Sequence, residues 1–99
     1  MDPSETWHLH QNAQFPPSCL PLALDGLKLV KLDAAAGALL TASLRSDGVV
    51  RPLDEKKRGD LERQRVLILR VLAELTLDPE GRAYFQRLAD LSQLVLAGR

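Results

Sequence analysis

The segment from Leu61 to Leu77 constrains this chain most. It contains no Gly or Pro and is dominated by strong helix formers. At 100° per residue, Leu61, Ile68, Leu72 and Leu75 form one stripe. Val66, Leu69 and Ala73 widen that stripe on one side, and Leu67 and Val71 widen it on the other. Arg63, Arg70 and Glu74 hold only a narrow polar strip. A helix apolar around most of its circumference must be covered on more than one side. In a chain of 99 residues, the cover comes either from the rest of the chain or from a second chain.

A second helix follows directly. Asp78 suits an N-cap, Pro79 the first helical position, and Glu80 the positive end of the helix dipole. Tyr84, Leu88, Leu91 and Val95 form its apolar stripe, joined by Phe85 and Leu96, with Arg82, Gln86, Asp90 and Gln93 opposite. The short connection makes the helices antiparallel neighbours, over about residues 60–77 and 79–97. The first of them starts at Asp54 or at Asp60; Gly59 between the two does not decide it.

Upstream, Leu40, Ala42 and Leu44 alternate with Thr41, Ser43 and Arg45, which is the strand period. Asp33 and Gly37 bracket a short connection, and Ser46-Asp47-Gly48 offers a second turn before Val49-Val50-Arg51. The expectation is a short antiparallel β-meander over about residues 27–51. The competing reading is a helix from Asp33 to Arg45, favoured by three consecutive alanines and weakened by Gly37. Residues 1–21 carry Pro3, Pro16, Pro17 and Pro21 and read as a proline-rich, irregular N-terminal arm. The expected fold is therefore α+β, a single domain of residues 1–99 with the meander packed on a C-terminal two-helix hairpin.

Composition narrows the function classes. Acidic and basic residues balance, 13 against 13, which weighs against a dedicated nucleic-acid binder. One cysteine, Cys19, allows no intramolecular disulfide and suits a reducing compartment. The acidic start Met1-Asp2-Pro3-Ser4-Glu5 lacks a signal-peptide core, and no apolar run is long enough to span a bilayer. The expected location is the cytoplasm, with no membrane partner.

No motif for catalysis stands out. His8 and His10 would face the same way in an extended segment, as a metal pair needs, but no further ligands follow at a zinc spacing. Cys19 has no helix N-terminus to activate it. No phosphate loop, nucleophile elbow or dinucleotide fingerprint occurs. The expectation is no enzyme, no cofactor and no metal.

What remains is a non-enzymatic protein–protein interaction module: a small adaptor, an assembly factor or a subunit, as a homodimer or in a heteromeric complex. Leu67 and Val71 on the helix flank, with Trp7 and Phe15 in the arm, are the expected contacts. The alternative is a small nucleic-acid-binding regulator using Arg51, Lys56, Lys57 and Arg58 within the basic 51–70 region. A strand followed by two helices is similar in element order to ribbon-helix-helix DNA-binding proteins. The connection Thr76 to Gly81 and the long N-terminal half depart from that pattern.

Overall fold

A computed structural model describes residues 3–44 and 51–97 of the chain. The fold is mostly helical, with four helices and one small antiparallel strand pair among the described residues. The C-terminal hairpin is present as expected. Its first helix, α3, runs Glu55–Glu74, and its second, α4, runs Pro79–Ala97, packed closely together. Asp54 caps α3, its side chain accepting from the Lys57 N–H at 2.8 Å, so Gly59 lies inside the helix. Asp78 caps α4 in the same way, accepting from the Gly81 N–H at 2.7 Å. That hydrogen bond and one from the Ser18 hydroxyl hold the Asp78 carboxyl below its ordinary pKa.

The N-terminal half differs from the sequence expectation. In place of an irregular arm, helix α1 spans Pro3–Asn12. A proline in the first turn of a helix costs nothing, since that N–H has no helical partner. Pro16 and Pro17 act later, opening a 3-10 turn at Pro17–Cys19. Helix α1 buries Trp7 and His10, one turn apart on one face.

In place of a meander over residues 27–51, two short strands precede a helix. Strands β1 (Ala23–Leu24) and β2 (Leu27–Lys28) pair with Leu24 opposite Leu27. Asp25 and Gly26 form the turn, both with positive φ, 51° and 83°. An Asp-Gly pair is suited to this two-residue hairpin. Helix α2 then runs Leu29–Ser43, close to the competing helical reading. Its buried residues Leu29, Leu32, Ala36, Leu40 and Ser43 recur at helical spacing, so the local alternation at residues 40–44 was not a strand signal. The turn expected at Ser46-Asp47-Gly48 and the strand residues Val49-Val50 lie outside the described residues.

Helix α4 is the centre of the structure, packing against α1, α2 and α3. Phe85, Leu88 and Leu91 on α4 are fully buried with Leu29, Leu32 and Leu40 of α2 and Leu61, Ile68 and Val71 of α3. Phe15 and Tyr84 complete an aromatic cluster with Phe85, edge to face at centroid distances of 5.4, 5.5 and 6.1 Å. The start of α4 fits tightly. A Cβ on Gly81 would lie 2.8 Å from the Cys19 Sγ and 2.9 Å from the Asp78 Oδ1, so this position holds glycine for close approach.

Candidate functional site

Two places in this fold have the chemistry of a site. The first is an open cleft of about 270 Å³ between α1, α2 and α4, walled by Trp7, His10, Asp33, Gly37, Thr41 and Tyr84. Each wall follows from helical spacing. Trp7 and His10 lie one turn apart on α1, and Asp33, Gly37 and Thr41 succeed one another at i, i+4 along α2.

The Tyr84 hydroxyl donates to the Asp33 Oδ1 at 2.9 Å. Burial raises the Asp33 carboxyl above its ordinary pKa, while the Tyr84 hydrogen bond works the other way. Burial, then the Asp33 charge, pushes the Tyr84 phenol up. The His10 ring stacks on Trp7 at a centroid distance of 5.9 Å and lies tilted against Tyr84 at 4.3 Å. His10 is 3% exposed. Burial and the nearby Arg87 charge push its imidazole down to about 4, so it is neutral at physiological pH. The Arg87 Nε donates a long hydrogen bond, 3.5 Å, to the His10 Nδ1. The ring proton therefore belongs on Nε2, and that buried N–H has no hydrogen-bond partner among the described residues.

The second place is the outer face of α3. Val66 is 56% exposed and Leu69 38%. With half-buried Leu67, Val66 lines a shallow depression that also includes Gly59, Glu62 and Arg63. The exposed flank of α3 is thus the Val66–Leu69 flank. Val71, expected to be a contact residue, is fully buried in the core, because α2 and α4 pack on that side. Trp7 is buried as well and Phe15 half-buried, both within the chain's own core, so neither forms an exposed apolar arm.

Of the four basic residues singled out, Lys56 and Lys57 are exposed and Arg51 half-buried. Arg58 donates to the Leu96 carbonyl oxygen and pairs with Glu62 at 3.8 Å. His8 and His10 do not converge, since residues two apart on a helix point to different sides; His8 is exposed and His10 buried. Among the described residues, no group of three or more His, Cys, Asp or Glu side chains could hold a metal ion. Cys19 is a buried free thiol whose pKa burial pushes up. Among the described residues, no helix is long and apolar enough to cross a membrane.

Sequence reasoning missed the cleft entirely. Asp33 and Tyr84 are 51 residues apart and meet only through the packing of α2 on α4. The available signal was helical spacing, which puts Trp7 with His10 and Asp33 with Gly37 once both segments are read as helices. No family model, curated protein or solved structure matches the chain.

Proposed function

We propose that this chain is a non-enzymatic interaction module that docks an acidic, amphipathic helical segment of another protein on the outer face of α3. The observation that carries this reading is the exposure of Val66 and Leu69, one turn apart beside the depression at Leu67. A contiguous apolar surface on a small protein is a feature of interaction sites.

Charge selects the partner. Helix α3 carries six basic residues, Lys56, Lys57, Arg58, Arg63, Arg65 and Arg70, against four acidic ones, Glu55, Asp60, Glu62 and Glu74. That is a surplus of two on a chain with no net charge. Arg63 and Arg70 follow the apolar row on one side, and Arg58 and Arg65 on the other. A second α3 laid along this face would set arginines against arginines, whereas an acidic helix would complement them, sharing Arg58 with Glu62, Arg63 with Asp60, and Arg70 with Asp25 and Glu74. The nucleic-acid reading has less support, since of Arg51, Lys56, Lys57 and Arg58 only the two lysines are exposed.

The test is a nuclease-treated capture from host lysate by the wild-type chain and by a Val66→Glu/Leu69→Glu variant of matched thermal stability. A protein retained by the wild type and lost by the variant is the expected result. Purified, that protein should bind the wild-type chain directly, more weakly as salt rises. Identical captures by the two proteins, or a capture abolished by nuclease, would overturn the proposal. A change in the chain's own oligomeric state between the two would make the partner a second copy.

A further inference from the structure

The cleft between α1, α2 and α4 has chemistry that the docking surface on α3 does not use. Asp33 brings a half-buried carboxylate to it. One oxygen takes the Tyr84 hydroxyl at 2.9 Å, which leaves the other for a ligand. His10 also lines the cleft, and its Nε2–H is buried and without a partner among the described residues. A buried donor left unpaired costs about 1–3 kcal/mol, so a ligand acceptor placed against it recovers a real deficit. The same cleft is lined by Trp7 and by the bare backbone of Gly37, where a Cβ would lie 3.8 Å from the Trp7 Cη2 and touch nothing else. The Thr41 hydroxyl donates to the Gly37 carbonyl at 2.8 Å, which leaves its oxygen lone pairs as further acceptors.

These groups define a ligand. A carboxylate beside an aromatic wall favours a cation. An unpartnered N–H donor in the same cleft favours an oxygen acceptor on the same molecule. A metal ion does not fit, because the His10 Nδ1 accepts from Arg87 and the Nε2 keeps its proton. The volume of about 270 Å³ lies just below the usual range for small-molecule sites, which begins at roughly 300 Å³. We propose that this cleft binds a small organic ammonium that carries a carbonyl oxygen, the ammonium on Asp33 and the oxygen on the His10 Nε2–H. The amino end of an amino-acid amide or of a peptide has this chemistry.

Trp7 is the only tryptophan in the chain, so its fluorescence reports on the cleft directly. The experiment titrates the full chain with glycinamide, with N-acetylglycinamide and with a peptide whose amino terminus is free. Glycinamide should give a saturable change in Trp7 emission, and N-acetylglycinamide, which lacks the cation, should not. A free-amino peptide that binds more tightly than glycinamide identifies a peptide terminus as the source; equal or weaker binding identifies the small molecule. Asp33→Asn keeps an acceptor for the Tyr84 hydroxyl, so it should retain the fold and weaken glycinamide about tenfold or more. Gly37→Ala narrows the cleft without a clash, and should weaken binding while thermal stability holds or rises. Val66→Glu/Leu69→Glu should bind glycinamide like the wild type, which separates this site from the α3 surface. No saturable response to glycinamide, an equal response to its acetylated form, or undiminished binding by Asp33→Asn would each overturn the proposal.

Discussion

The two helices of the C-terminal hairpin contrast in an unexpected direction. Read along the sequence, α3 has the wider apolar arc, yet α4 is by far the more buried. Nine residues of α4 are buried, from Gly81 to Leu96, against Leu61, Ile68 and Val71 on α3. Helix α4 is enclosed by α1, α2 and α3, whereas α3 packs mainly on α2 and α4. The breadth of an apolar arc therefore states how much surface a helix can offer. How much is covered depends on which neighbours the rest of the chain supplies. The uncovered remainder of α3, at Val66 and Leu69, is the surface assigned here to a partner.

If α4 is the enclosed helix, its substitutions should dominate stability. Phe85→Ala is expected to be the most damaging, costing about 3–5 kcal/mol, because the fully buried ring leaves a cavity among Phe15, Tyr84 and the leucines of α2. Chemical denaturation measures it; a loss below about 1 kcal/mol would show that α4 is not enclosed. Gly81→Ala comes next. An exposed helical glycine gains about 1 kcal/mol on becoming alanine, but here the methyl meets the Cys19 Sγ and the Asp78 Oδ1. A net loss of about 1–2 kcal/mol is expected. Cys19→Ala in the same chain removes the nearer clash, so the double variant should recover part of it in a double-mutant cycle.

The contact of α1 with α4 sets the pH dependence. His10 is neutral when folded, with its pKa near 4, and titrates around 6.5 when unfolded. Between those values the unfolded chain binds a proton that the folded chain refuses. Stability should fall on acidification from about 6.5 to about 4, by at most about 1.4 kcal/mol per pH unit. The groups facing His10 are Arg87 and Tyr84 from α4, with Asp33 of α2 on the shared cleft. Asp33 acts oppositely: its raised pKa makes its ionised form costly, and acid relieves that cost. Thermal midpoints across this range should slope for the wild type and flatten for His10→Gln. Parallel curves would place His10 in solvent and detach α1 from α4.

The smallest effect belongs to the open side of α3. Val66→Glu and Leu69→Glu should each change stability by no more than about 0.5 kcal/mol, as exposed positions do. Val71→Asp, on the covered side of the same helix, should cost several kcal/mol, since it buries a charge without a partner. Equal losses at positions 66 and 71 would erase the difference between the two flanks.

The elements that were legible in the sequence are those whose signals are local and redundant. Asp78-Pro79-Glu80 marks the start of α4 by capping, ring geometry and charge together. The N-terminal half had single signals that pointed the wrong way. Prolines at 3, 16, 17 and 21 suggested an irregular arm, yet the first stands in the opening turn of α1 and the others lie beyond its end. The alternation of Leu40, Ala42 and Leu44 is a coincidence at the C-terminal end of α2, whose buried set is Leu29, Leu32, Ala36, Leu40 and Ser43. The hairpin sits instead at Leu24-Asp25-Gly26-Leu27, where the turn pair is strong but each strand is two residues long, too short for a period to show. Which edge of the α3 arc stays open, Leu67 with Val71 or Val66 with Leu69, was illegible for another reason. Both pairs are apolar and sit at the two edges of one arc, and only the positions of α2 and α4 distinguish them. The cleft was out of reach for the same reason, since its walls come from three helices.

The most direct test of the open face on α3 is photo-crosslinking from it in the native host. A benzophenone-bearing residue would replace Val66 in one strain and the equally exposed Leu20 in another. The account predicts a discrete adduct from position 66 with a protein that carries an acidic amphipathic helix, and none from position 20. The same adducts from both positions, or none from position 66, would contradict it.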